Sequence, residues 1–553
     1  MKQRIPLLIA LFSCASHQLF AQVPVGTKEV WFDPNGTTLA SAPGATGSFS
    51  SPLGGSGTAF DANMLYLTAD AGGTQAFTPG SVKFPNLVIH LKPGIYQTYG
   101  HRWPGYGGTE PSWLLRAGQR LIGEGIDRTI IRRINPQNDG LVVIATMTAE
   151  ANVEVQDLTI DGNYWASSNP NISVGGLNMD HLGRVRGVKF TGTSGNTSTT
   201  NETFTLRVSG TKYVAGVRSD DNTARGGLIE NCEVSNVKGG YMSGILVGAG
   251  QSTVVNNRVY MPHFSNPAVG DNKNGWCGIN VGAAVDTIIS GNFVSGGYVG
   301  LYSDWEPVTN LIVSGNQFLD TIVGINMKRG YAVKVDTIHI TDNIFHLSTD
   351  TAVSSNRYGI RMTTETADSA IHVSNVVIKD NIVRGGWDYA STWGIYLDRV
   401  KNPACYDNRF SYVGLPNPRA MITHFQTVGG MIYNIFTEDG RPMNASSWLT
   451  PQSSDWLIRK SILSLDPTTS YLVQVGDKYI GLQKAGYTIS LPDAATYWGK
   501  EIIIVNETGS TLTGSILNCS ISGQTINGAA SVSLATPYTS VRVVSNGSSW
   551  IRF

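Results

Sequence analysis

A chain of 553 residues exceeds what one ordinary globular core organises, so it is either several domains or one elongated repeat. Only 14% of the residues are charged, and 40 basic residues balance 40 acidic ones, which removes any global attraction to nucleic acid or to an anionic membrane. The 63 glycines favour a turn-rich repeat.

The first predicted element is a secretory leader. In "MKQRIPLLIALFSCASHQLFAQ", Lys2 and Arg4 precede an apolar run from Ile5 to Phe12 and a small-residue exit at Ala21. Residues 1–21 therefore read as a signal peptide, and the mature chain as exported to the bacterial periplasm, the cell surface or the medium. A lipoprotein processing site at Leu11–Cys14 is a rival reading, disfavoured by the bulk of Phe12. No later stretch reaches the ~18 uninterrupted apolar residues of a membrane span. Cys232, Cys277, Cys405 and Cys519 lack the paired short spacing of metal sites and read as small buried apolar residues.

From Gly140 onward one phrase recurs, a glycine followed by an aliphatic residue, a variable residue and a second apolar residue. Its nine copies start at Gly140, Gly176, Gly216, Gly244, Gly278, Gly300, Gly324, Gly359 and Gly394. Later copies alternate with a second phrase ending in asparagine and an apolar residue: "IENCEV", "VVNNRV", "ISGNFV", "VSGNQF", "ITDNIF", "IKDNIV" and "CYDNRF". Gly278 and Gly300 stand too close together for a helix pair or a propeller blade between them, so a coil of strands remains.

This pattern resembles the right-handed parallel β-helix of the pectate lyase-like superfamily, in which stacked asparagines form hydrogen-bonded ladders. The matching turn residues are Asn231, Asn257, Asn292, Asn316, Asn343, Asn381 and Asn408. "NLVIHLKPGIYQ" and "GQRLIGEGIDRTII" are similar to the first coils of that superfamily, after the preamble "VWFDPNGTT". The resemblance covers residues 28–415 and implies an all-β fold. It leaves the reaction open, because the same fold carries lyases, hydrolases, epimerases and inert adhesins. The Asn-Thr-Asp and Gly-His-Gly signatures of polygalacturonases and the Asp-Pro-His-Glu signature of alginate epimerases are missing.

Residues 416–468, with "LPNPRAM" and "RPMNASSWLTPQSSDW", read as a linker or a cap over the end of the coil. Residues 469–553 read as a small β-sandwich or barrel-like module of short strands with Gly, Asn and Pro turns. "TISLP", "GKEIII", "TINGA" and "SNGSSW" resemble a module at the ends of phage tail spikes and bacterial surface proteins. That likeness implies a homotrimer, or surface attachment, through this module.

Strand side chains alternate between faces, so the first and third positions after each glycine form the core and the second and fourth point outward. The second row reads Val142, Asn178, Arg218, Leu246, Asn280, Tyr302, Asn326, Arg361, Tyr396. The fourth reads Ile144, Asp180, Asp220, Gly248, Gly282, Asp304, Lys328, Thr363, Asp398. Coils stack at about 4.8 Å, which brings Asp304 beside Lys328, with Arg361 one coil further on.

The resemblance implies that this sheet binds polysaccharide. Arg218, Asn280, Tyr302, Asn326 and Tyr396 are the candidate contacts in the rows, and Trp276, Tyr298, Trp305 and Trp387 the candidate stacking platforms from the adjoining loops. A hydrolase would use the carboxylates of Asp180 and Asp220, about 5 Å apart on adjacent coils, with Asp221 and His181 beside them. A lyase acting on an acidic polysaccharide would use Lys328 and Arg361 as base and charge neutraliser, with Asp304 as an orienter or a Ca2+ ligand. Aligned surface charges also occur on plain soluble sheets, so a non-catalytic glycan-binding surface protein or adhesin is the alternative.

Overall fold

The structure is a computed structural model describing residues 26–43, 45–71, 81–102, 113–134, 141–146, 152–168, 173–179, 182–195, 203–209, 227–238, 242–248, 251–263, 277–282, 285–303, 308–329, 335–349, 356–364, 373–385, 392–411, 422–425, 431–433, 436–437, 449–450, 460–463, 470–473, 479–482, 485–497, 501–506 and 510–553. The leader, residues 1–21, lies outside the described residues. The chain falls into two compact units, Met1–Leu311 with Asn316–Thr321, and Ile312–Gly315 with Ile322–Phe553.

In the first unit, short strands contribute in turn to three parallel sheets, so that each circuit of the chain adds one strand to every sheet. One circuit runs through Ile288–Ser290, Phe293–Ser295 and Val299–Ser303, in the first, second and third sheets respectively. Inward positions are aliphatic and fully covered, as Ile289, Val294 and Leu301 show. A helix, Thr58–Thr68, packs near the start of the coil. In its first turn the carboxylate of Asp61 accepts hydrogen bonds from Thr98 Oγ1 at 2.6 Å and Trp113 Nε1 at 2.8 Å, and just past its end Asp70 Oδ1 meets Arg116 Nη1 at 2.9 Å in a buried pair. These groups satisfy polar atoms that the coil's first turn would otherwise bury alone.

The corner between the first and second sheets takes two residues. The leading place is left-handed and is filled by Asp157 (φ 55°), Gly187 (φ 56°), Asn231 (φ 53°), Asn256 (φ 56°) and Gly291 (φ 64°), types that tolerate this conformation. The second place is buried and holds Leu158, Val188, Cys232, Asn257, Asn292 and Asn316 in successive coils. Asn257 donates its backbone N–H and its Nδ2 to Asn292 Oδ1 at 3.0 and 2.9 Å, and Asn292 donates likewise to Asn316 Oδ1 at 2.9 Å each. The ladder of this unit starts under Cys232, whose backbone N–H donates to Asn257 Oδ1 at 2.9 Å. Asn231 therefore occupies the left-handed corner and not the ladder, a correction to the expectation from "IENCEV". Burial pushes the Cys232 thiol up to about 12, so the sulfur behaves as a small neutral core atom.

The second unit continues the same plan. Val323–Arg329, Arg357–Thr364 and Thr392–Asp398 are parallel neighbours in its third sheet, and Asn343 and Asn381 repeat the ladder with Asn408. The recurring glycine has a steric cause. A β-carbon on Gly324 would stand 2.2 Å from Phe345 Cδ1 and 2.5 Å from the carbonyl oxygen of Gly359. The glycine lets the third sheet close against the second. Gly324→Ala is expected to destabilise the protein by about 1–3 kcal/mol, read as a lower denaturant midpoint at unchanged m-value.

Within residues 416–468, Ile422–Phe425 and Leu449–Thr450 pair in parallel on the third sheet, Met431–Tyr433 on the first and Phe436–Thr437 on the second. The stretch read as a linker or cap thus carries coil pairing of its own.

The C-terminal module has two sheets. One holds Lys460–Leu463, Tyr479–Leu482 and Glu501–Asn506 in parallel, then Ser540–Ser545 and Trp550–Arg552 antiparallel. The other holds Ser470–Leu472, Thr488–Leu491 and Ile516–Cys519 in parallel and closes antiparallel on Ser531–Ser533. Ile480, Ile489, Leu491, Ile502, Ile504, Leu517, Val543 and Trp550 belong to its core cluster. It is a β-sandwich that begins as a coil and ends in antiparallel strands.

Candidate functional site

The third sheet positions the candidate site, because its outer face collects the second and fourth places of the glycine phrase. In the first unit, Asn178 lies opposite Ala145 on one side and Arg207 on the other, then Leu246, Asn280 and Tyr302 follow in register. Two expectations change here. The copy at Gly140 is displaced, so Ala145 and not Val142 stands in the row. The coil between Gly176 and Gly244 is built by Thr203–Ser209 and not by the phrase at Gly216, so the row holds Arg207 and Ser209 where Arg218 and Asp220 were expected. The strand "TFTLRVS" has no glycine at the corner, which is why the phrase search passed over it.

Arg218, Asp220 and Asp221 lie outside the described residues, as do Asp180, His181, Trp276, Asp304, Trp305 and Trp387. Asn280 and Tyr302 are half-buried neighbours in the row. Tyr298 is only 5% exposed, so its ring is core and is not offered to a ligand as a stacking face.

In the second unit the rows run as the alternation requires. Asn326 opposes Arg361, which opposes Tyr396; Lys328 opposes Thr363, and Asp398 follows Leu397, the partner of Met362. Lys328 and Arg361 therefore sit diagonally on adjacent strands, about 8 Å apart along the backbone from strand spacing and rise. Asn326 and Lys328 are only 2% and 4% exposed despite facing outward. Their dipole and charge act in a medium that screens them less than water does.

Three aromatic rings frame these groups. Tyr358 and Trp393, opposite each other at the start of their strands, stack at 5.0 Å with planes 10° apart. Tyr396 lies edge-on to both, at 5.5 Å from Tyr358 and 5.9 Å from Trp393. The Arg361 guanidinium rests 4.9 Å from the Tyr358 ring centre, and among the described residues its buried Nε has no hydrogen-bond partner. The distance is that of a cation–π contact. Asn326 Oδ1 is likewise buried and without a donor.

Asp398 is the carboxylate that the residue search missed as a chemical group. Its Oδ1 is buried and accepts no hydrogen bond from the described residues, with Arg399 Nε 3.6 Å away. Burial pushes its pKa above the ordinary carboxylate value, outweighing the downward pull of Arg399 and Arg361. Burial, with the nearby Asp398 charge, also raises the Tyr396 phenol, so that ring is a neutral donor. The available signal was the terminal acid of "GIYLD", in the same phrase as Tyr396. Among the described residues there is no group of three or more His, Cys, Asp or Glu side chains that could hold a metal ion, and no helix is long and apolar enough to cross a membrane.

No protein-family model matches the sequence, and no curated protein matches it. Solved structures do resemble it. A Dettilon tailspike protein is 14% identical with a TM-score of 0.45, covering 64% of this chain and 62% of its own, so this chain spans under two thirds of that protein's length. A mutant tailspike protein of E. coli bacteriophage HK620, in complex with pentasaccharide, is 13% identical with a TM-score of 0.46, covering 73% of this chain and 69% of its own. The A-module of the Azotobacter vinelandii mannuronan C-5 epimerase AlgE4 is 14% identical with a TM-score of 0.37, covering 71% of this chain and 94% of its own. With parallel sheets built coil by coil and asparagine ladders buried at one corner, the coils of both units have the right-handed parallel β-helix fold.

Proposed function

We propose that the protein is an exported enzyme that binds an acidic polysaccharide along the outer face of the third sheet and cleaves it by β-elimination. The observation that carries the reading is Arg361, its half-exposed guanidinium 4.9 Å from the Tyr358 ring centre in a frame of aromatic rings. A uronate carboxylate is a natural partner for the half-exposed guanidinium of Arg361. Pairing it lowers the pKa of the proton on the adjacent carbon. Lys328, in its neutral amine form, takes that proton, a carbon–carbon double bond forms, the glycosidic C–O bond breaks, and Asp398 returns a proton to the leaving oxygen. Trp393 and Tyr396 supply apolar faces for the sugar rings.

The binding half is tested by affinity electrophoresis in gels cast with single polysaccharides. Trp393→Ala is expected to weaken retardation by the bound glycan about tenfold, as loss of an aromatic anchor does. Retardation equal to that of the parent protein in every gel would take the glycan away from this face.

A pH dependence follows from Asp398. A carboxyl raised by burial keeps its proton to higher pH than an ordinary one. Activity that needs this proton is lost as pH rises through the raised value, and Asp398→Asn should remove that limb of the pH–rate profile. The stability effect has the same sign. The folded state binds this proton more tightly than the unfolded chain, so the group's contribution is fully present below its unfolded pKa and lost as pH climbs through its folded one.

A further inference from the structure

A second aromatic surface lies in the first unit, in the turn that follows the second-sheet strand Thr159–Asp161. The sequence "DGNYWA" forms a single 3-10 turn, Tyr164–Ala166, with Trp165 53% exposed. Large aromatic side chains usually lose most of their surface on folding, so an indole left half in water calls for a reason.

The turn is rigidly built. Asn163 takes a left-handed conformation, φ 52°, in which its backbone N–H donates to Asp161 Oδ1 at 2.8 Å and its Nδ2 to the Arg133 carbonyl at 3.1 Å. Asp161 is itself 2% exposed and held by Arg132 Nε at 2.8 Å. Tyr164 donates its backbone N–H to the Gly192 carbonyl at 3.0 Å, and Ser167 closes the turn onto the Tyr164 carbonyl at 3.0 Å. Gly192 leaves room for the ring: a β-carbon there would stand 2.8 Å from Trp165 Cη2. The indole is thus seated on backbone along one edge, with Tyr164 5.3 Å away at 64° and Lys238 Nζ 5.5 Å from the Tyr164 ring centre.

A fixed, half-exposed indole beside a phenol, an ammonium and amide groups matches the two-sided chemistry of a sugar ring, with C–H bonds on one face and hydroxyls around the rim. An apolar protein partner would call for a wider uninterrupted apolar patch than one indole set among polar groups. We propose that Trp165, with Tyr164 and Lys238, is a further glycan-binding subsite, separate from the Arg361 face and adding affinity without taking part in bond cleavage. This rests on the reading of the protein as a polysaccharide-binding enzyme.

The test is affinity electrophoresis of the full mature protein in polysaccharide gels, comparing Trp165→Ala, Trp165→Phe and Trp393→Ala with the parent. Trp165→Ala is expected to bind about tenfold more weakly. Trp165→Phe should retain most of the affinity, and the thermal midpoint of all three variants should stay near the parental value. Normal retardation of Trp165→Ala beside weakened Trp393→Ala overturns the subsite and leaves the Arg361 face standing. Loss in Trp165→Ala alone supports the subsite while removing the stacking role of Trp393. Absence of retardation of the parent in every gel overturns both.

Discussion

Arg361→Ala is expected to reduce kcat/KM on the cleaved polysaccharide by at least about a hundredfold, the usual cost of removing a preorganised donor from developing negative charge. The thermal midpoint should barely move, because the side chain is half-exposed and its Nε has no hydrogen-bond partner among the described residues. Arg361→Lys should recover little of the loss. An ammonium carries the charge but cannot lie flat on Tyr358 or present two parallel N–H groups to a carboxylate. Steady-state kinetics with calorimetric melting checks both parts. A fall in activity matched by a fall in melting temperature would mean that Arg361 holds the fold and not the substrate.

The largest expected effect on stability lies away from that face, in the asparagine ladder. Asn292 Oδ1 accepts from the Asn257 backbone N–H and side chain, and its Nδ2 donates to the Val254 carbonyl at 2.9 Å and to Asn316 Oδ1. Asn292→Ala strands a buried N–H and a buried carbonyl together, at about 1–3 kcal/mol each, so a loss of about 2–6 kcal/mol is expected in the first unit. Chemical unfolding, with hydrogen exchange at Asn257 as the local probe, measures it. Leu158 and Val188 hold the same corner in earlier coils without any ladder. The fold accepts an apolar file or a polar one, and the penalty arises where the two meet without a partner.

Much of this is legible in the sequence. The alternation of "GINMK", "GIRMT" and "GIYLD" placed Asn326, Arg361 and Tyr396 in one row and Lys328 and Thr363 in the next, because a period of two leaves no freedom once the glycine marks the corner. The glycine itself was legible as a repeat mark, while its cause, contact with Phe345 across the coil, is tertiary. The failures have the same source. The strand Thr203–Ser209 carries a coil without the glycine, so counting phrases shifted the row to Arg218 and Asp220. "IENCEV" offered an asparagine one place early, and only the backbone conformation distinguishes the left-handed corner from the ladder. Tyr298 shows the limit of type alone: a tyrosine beside a corner glycine can be core or platform, and packing decides. Asp398 needed the burial of its carboxyl, which no spacing rule supplies.

On the proposed reading, the outer face of the third sheet cleaves an acidic polysaccharide. The most direct test of that reading is incubation of the purified mature protein with a panel of acidic and neutral polysaccharides, with and without Ca2+, following near-ultraviolet absorbance and new reducing ends together. The account predicts that both rise in step on a uronate-containing polymer and that Arg361→Ala abolishes both. Reducing ends without absorbance would contradict elimination and make hydrolysis the reaction, with Asp398 as proton donor. Glycan binding without either signal on any substrate would contradict the enzyme and leave an adhesin.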